Sequence, residues 1–143
     1  MSIQGILYEK GRRVITVDRN EGIERAAELM HKHDVAALPV TDGSRVVGML
    51  SSREIVDALA EHGSCLSALR ASDLMRGDFI RVSPQESLKR VTALMTRHHA
   101  THIPVFSDEH LVGIVSVGDV IKHRLEDLEL ESNVLRDAYI AAH

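Results

Sequence analysis

Sliding the sequence against itself by 65 positions superimposes two stretches without a gap, and any fold for this chain has to accommodate that duplication. Residues 14–56 read VITVDRNEGIERAAELMHKHDVAALPVTDGSRVVGMLSSREIV, and residues 79–121 read FIRVSPQESLKRVTALMTRHHATHIPVFSDEHLVGIVSVGDVI. Twelve of the 43 aligned positions are identical, among them Ile15/Ile80, Val17/Val82, Met30/Met95, Pro39/Pro104, Gly48/Gly113 and Ser51/Ser116. Most other apolar positions stay apolar, so both copies carry one folding pattern.

Each copy begins with a short apolar run, VITV or FIRV, followed by turn and helix-start residues, Asp18 or Ser83-Pro84. Ile23, Ala26, Ala27 and Met30 then recur at helical spacing, as do Leu88, Val91, Leu94 and Met95 in the second copy. Two apolar runs joined by a polar turn follow, AALPV-TDGSR-VVGML and HIPV-FSDEH-LVGIV, which is a hairpin signal. A second helix starts near Ser51 and near Ser116. The unit is therefore β-α-β-β-α, too small to cover both faces of its own sheet, and two such units packed sheet to sheet would solve that problem. The expected fold class is α/β (α+β), two pseudo-symmetric units in one chain.

The division expected from the pattern is 1–62 for the first unit with its N-terminal segment, 63–77 as linker with SDLM as a short helical turn, and 78–143 for the second unit. The periodicity of Val120, Ile121, Leu125, Leu128, Leu135 and Tyr139 predicts one long helix from about Val117 to Ala142, with Glu126, Asp127, Glu129 and Glu131 on its other side. Such a helix outruns what the second unit needs, and its apolar stripe predicts a homodimer contact.

Composition narrows the function classes. The net charge is -4, the reverse of the basic footprint of nucleic-acid binders, and aromatics make up only 3% of residues, too few for base stacking. The single cysteine, Cys65, has no intramolecular disulfide partner. The opening MSIQGILYEKGRR lacks the apolar core of a signal peptide, and no apolar run approaches the length of a membrane span. A cytoplasmic protein without nucleic-acid or membrane partners is expected.

His98, His99 and His102 are the tightest histidine cluster, but 100–105 reads as the approach to a strand, so the i, i+4 spacing does not make a helical zinc pair and no metal is expected. Neither Ser51 nor Ser116 has a base motif beside it, and no glycine-rich phosphate loop is present, so no enzyme activity is expected. Ser51 with Glu54, and Ser116 with Asp119, have the spacing of a helix cap with a first-turn carboxylate. The same arrangement offers a ligand a hydroxyl, backbone N–H groups at a helix N-terminus, and a carboxylate able to accept two hydrogen bonds from a ribose diol.

Taken together, ALPV at 37–40 with GMLSSREIV at 48–56, and HIPV at 102–105 with GIVSVGDVI at 113–121, resemble the paired CBS domains of the Bateman module over nearly the whole chain. Ile6, Leu7, Lys10 and Gly11 near the start, and Tyr139 and Ile140 near the end, are similar to stand-alone bacterial members. The resemblance implies a regulatory module that binds an adenine nucleotide in clefts between the units, AMP or NAD(H) first and then ATP or S-adenosylmethionine, as an energy or redox sensor with no obligatory cofactor and an unidentified regulated protein as partner. Carried over by position, one cleft would draw on Lys10, Ile15, Ala36, Ala37, Pro39, Ser51, Arg53 and Glu54. The other would draw on Arg76, Ile80, Thr101, His102, Pro104, Ser116, Gly118 and Asp119. Arg53 is the strongest phosphate ligand on chemical grounds, since a guanidinium binds phosphate bidentately. Glu54 departs from the family's usual Asp and lengthens the arm by a methylene, which leaves Asp119 as the safer ribose contact. The alternative from another class is a dimeric scaffold whose clefts are plugged by side chains such as Arg76 and His102.

Overall fold

A computed structural model describes residues 2–11 and 13–142. The elements run α1 (Ile3–Lys10), β1 (Val17–Asp18), α2 (Ile23–His33), β2 (Ala37–Asp42), β3 (Arg45–Ser51), α3 (Ser52–His62), a 3-10 stretch (Gly63–Ala68), α4 (Ala71–Leu74), α5 (Leu88–His98), β4 (His102–Ser107), β5 (His110–Ser116) and α6 (Val117–Ala142). They form two compact units, Arg13–Ile80, and Met1–Arg12 with Arg81–His143.

In the unit Arg13–Ile80 the sheet order is β1-β2-β3, with β1 parallel and β3 antiparallel to β2. The β1 pairing covers only Val17↔Val40 and Asp18↔Thr41. The next residue toward the start of β2 is Pro39, which has no N–H to extend that ladder. Ile23, Ala26 and Met30 line the buried stripe of α2 and pack with Val17, Leu38, Val40, Leu50 and Ala71. Asp34 closes α2 in the left-handed conformation.

The other unit repeats this plan 65 residues on. Leu88, Val91 and Met95 form the buried stripe of α5, and Ile103, Val105 and Val115 are fully buried on the β4-β5 hairpin. The counterpart of β1 shrinks to a single parallel bridge, Val82↔Val105. The β4-β5 turn holds Asp108 and Glu109 both at positive φ, the backbone of a tight primed turn made without glycine.

Two segments fall elsewhere than the sequence division placed them. The N-terminal helix α1 joins the second repeat: Ile3 N–H donates to Glu86 C=O at 2.9 Å, Gln4 N–H to Pro84 C=O at 2.9 Å, and Ile3, Ile6 and Leu7 are buried. Residues 63–77, expected as a linker, fold into the first unit, where Ala71 is fully buried, Gly22 bridges Arg70, and Met49 and Arg76 exchange backbone hydrogen bonds of 3.0 and 2.8 Å. Short elements tied down by backbone pairing show little side-chain periodicity. The expected SDLM turn is met in part by α4, which begins one residue earlier at Ala71 and ends at Leu74.

The glycine shared by both hairpins is explained by close approach. A Cβ on Gly48 would meet Met75 Sδ at 2.6 Å and Met75 Cβ at 2.9 Å, and one on Gly113 would overlap Leu7 Cδ2. The helix α6 spans 26 residues with the expected bounds, about 39 Å at 1.5 Å per residue. Only Val120 and His123 on it are buried, while Leu125, Leu128, Leu135 and Tyr139 stay exposed. No helix among the described residues is long and apolar enough to cross a membrane.

Candidate functional site

The two strand-to-helix turns carry the candidate site residues, and each turn is built by the same backbone device. Ser52 N–H donates to Ala36 C=O at 2.9 Å, and Val117 N–H donates to Thr101 C=O at 2.9 Å, so the first helical residue is pinned to the residue just before the first strand of the hairpin. The register then places Ala37 opposite Ser51 and Pro39 opposite Met49, and likewise His102 opposite Ser116 and Pro104 opposite Ile114. Pro39 and Pro104 are fully buried. The sequence spacing thus brings Ala36, Ala37, Ser51 and Glu54 together in one turn, and Thr101, His102, Ser116, Gly118 and Asp119 together in the other.

At the second turn Ser116 N–H donates to Asp119 Oδ2 at 2.9 Å, and Asp119 N–H donates to Ser116 Oγ at 3.1 Å. This reciprocal capping box satisfies two of the orphan donors at the start of α6. At the first turn the longer Glu54 accepts from Ser51 N–H at 3.2 Å, and its Oε2 also accepts from the Ser51 hydroxyl. The extra methylene lets the carboxylate reach back and capture the hydroxyl.

Lys10, grouped by the sequence reading with Ser51 and Glu54, sits instead at the second turn, because α1 docks on the second repeat. Its ammonium donates to Asp119 Oδ2 at 2.7 Å and to Ile114 C=O at 2.9 Å. Partial burial works to raise the Asp119 pKa, but the hydrogen bonds from Lys10 and Ser116 and the lysine charge outweigh it and hold the carboxyl below the usual aspartate value. Arg76, grouped by sequence with the second turn, is held through its backbone on Met49 of the first repeat, and its guanidinium lies 4.0 Å from Asp78.

Ile15 packs half-buried on the first core, and Ile80 is half-buried at the end of the same unit. Arg53 is 87% exposed and lies 3.9 Å from Asp57, one turn along α3. Gly118 is exposed, and the Thr101 hydroxyl lies 3.0 Å from His102 Nδ1. His98 ends α5, His99 is its left-handed cap and His102 opens β4, so the three do not share a helix.

The sequence reading missed one cluster. His123, 3% exposed, has Nε2 at 3.0 Å from Glu9 and Nδ1 at 3.8 Å from Glu126. One ligand atom from each of Glu9, His123 and Glu126 lies within 4.8 Å of the other two, a spacing that could hold a metal ion. As it stands the cluster is a clamp between α1 and α6, beside the Lys10–Asp119 contact. The signal was available: Val120 and His123 are three apart on the face of α6 that turns inward.

The CBS domain family matches the chain at residues 11–61 and 71–126. The CBS domain-containing protein YhcV of Bacillus subtilis (strain 168) is 32% identical over 114 residues, 80% of this chain and 81% of its own. The crystal structure of the CBS-domain containing protein ATU1752 from Agrobacterium tumefaciens superposes with a TM-score of 0.84 at 32% identity, over 87% of this chain and 99% of that one. A CBS domain pair from protein MJ0100, solved in complex with 5′-methylthioadenosine and S-adenosyl-L-methionine, has a TM-score of 0.79 at 26% identity, over 89% of this chain and 98% of that one. With both repeats matched and the fold shared at this level, the chain belongs to the CBS domain family, as a tandem pair of such domains.

Proposed function

We propose that this CBS pair is a regulatory, non-catalytic module that binds an adenosine-containing ligand, with Asp119 as the ribose anchor and Ser116 holding it in place. The observation that carries the reading is the Ser116–Asp119 box. It leaves a carboxylate pre-oriented at a helix N-terminus, with Oδ2 engaged and no hydrogen bond to Oδ1 among the described residues. A ribose diol supplies the donors such an oxygen accepts, and MJ0100, of the same fold, was solved with two adenosine compounds. Ala36, Ala37, Pro39, Ser51, Arg53 and Glu54 are the corresponding group at the first turn, and Lys10, Ile15, Arg76, Ile80, Thr101, His102, Pro104 and Gly118 complete the proposed set.

A thermal-shift series with AMP, ADP, ATP, NAD, NADH and S-adenosylmethionine at about 1 mM tests the reading, since stabilisation follows ligand concentration over Kd. AMP or NAD(H) is expected to raise the midpoint most. Asp119→Ala is expected to weaken the better site at least about tenfold, roughly 1.4 kcal/mol. Unchanged affinity in that variant removes Asp119 from binding.

The assembly proposed is a homodimer through α6, on the ground that Leu125, Leu128, Val134, Leu135, Tyr139 and Ile140 are exposed along it. Light scattering after size exclusion is expected to give twice the chain mass, and Leu135→Glu to return it to one. If no adenine compound shifts the midpoint while the dimer persists, the scaffold reading replaces the sensor.

A further inference from the structure

The lysine on Asp119 adds a charge filter to the second turn, an inference that rests on the adenosine-ligand reading above. Lys10 arrives from α1, 109 residues away in sequence, and occupies Asp119 Oδ2 and Ile114 C=O at 2.7 and 2.9 Å. An ammonium has three donors, so these two bonds leave one for a ligand. Because Asp119 Oδ1 accepts nothing from the described residues, a ribose held there would lie beside the ammonium without first displacing it. We infer that Lys10 makes the second turn select adenosine ligands that carry phosphate over those that are neutral or cationic at the 5′ position.

The physical reason is the charge balance of the site. A neutral nucleoside can take from the remaining donor of the ammonium only a hydrogen bond to an uncharged oxygen. A phosphate on the 5′ carbon gives the same flexible lysine stem a second anion, through a charge-assisted hydrogen bond. The cationic sulfonium of S-adenosylmethionine meets like charge. At the first turn no cation pairs with Glu54 among the described residues, so the filter belongs to the second turn alone.

Isothermal titration of the full chain with AMP and with adenosine separates the possibilities, because the two differ only in the phosphate. The relevant isotherm is the one that Asp119→Ala weakens. AMP is expected to bind about tenfold more tightly than adenosine, and Lys10→Met to remove most of that preference by weakening AMP while adenosine stays within about twofold. Lys10→Arg is expected to retain the preference, and rising salt to weaken AMP alone in the unmodified chain. Equal weakening of both ligands by Lys10→Met, or no effect on either, overturns the inference and leaves the adenosine-ligand reading standing. If the unmodified chain binds neither compound, the reading itself fails, and the filter with it.

Discussion

The turns at Ser51 and Ser116 share a backbone frame, a Ser-x-x-acid sequence and a capping box, yet their carboxylates take different further partners. Asp119 is short enough to exchange reciprocal hydrogen bonds with Ser116, and it faces a lysine brought in from α1. Glu54 folds back onto the Ser51 hydroxyl and meets no cation among the described residues. One methylene and one docking helix separate a carboxylate that its cap shares with a lysine from one that its cap shares with the serine hydroxyl. Duplication conserves the frame, and what lands on the frame decides the chemistry.

The comparison is broken most forcefully at the two glycines. Gly48→Ala is expected to cost about 2–3 kcal/mol, because the new methyl meets Met75 as far back as its Cβ and the neighbour cannot swing clear. Gly113→Ala is expected to cost about 1 kcal/mol, because it meets only the end of Leu7, whose other atoms lie 3.5 Å or more away. Chemical denaturation of both variants checks the order, and a larger loss at Gly113 would contradict it. Smaller effects follow at the caps. Ser116→Ala removes the acceptor for Asp119 N–H, Ser51→Ala breaks the corresponding capping box with Glu54, and each is expected to cost about 1 kcal/mol.

The smallest effect concerns pH. Since the folded Asp119 pKa lies below its unfolded value, its contribution is fully present above the ordinary aspartate value of about 3.9 and is lost as pH falls through the folded value. The loss is expected to stay under about 1 kcal/mol, because Lys10 is 42% exposed and water screens the pair. Acid titration of stability in Asp119→Asn should lack this component, and an identical profile in both proteins would remove it.

Sequence periodicity made the repeat, both hairpins and α6 legible, because each rests on contacts between residues near in sequence or on a stripe of regular spacing. The capping pairs were legible for the same reason. The Lys10 partner was not: a lysine that ends an unremarkable eight-residue helix gives no sign that it reaches a carboxylate 109 residues on. His123 escaped because the long run of leucines on α6 drew the stripe, and that run is the exposed one, whereas the inward face of this helix is short and ends in a histidine. The 63–77 segment looked like a linker because its elements are too short for a helical period to show, although Leu66, Leu69, Leu74 and Met75 pack on the first core beside the buried Ala71.

The two units also differ in how the chain closes them. Arg13–Ile80 is one continuous stretch, while its companion needs α1 and the residues from Arg81 onward to meet. During synthesis the first unit can therefore collapse as soon as its own residues emerge, but α1, made earlier, must wait with Ile3, Ile6 and Leu7 uncovered until the last hairpin and α6 have been added. Closing a loop of that length carries an entropic cost that the local hairpins escape. The turn holding Asp119 is in this sense the last part of the molecule to mature, and its lysine arrives only when both arms of the discontinuous unit have found each other.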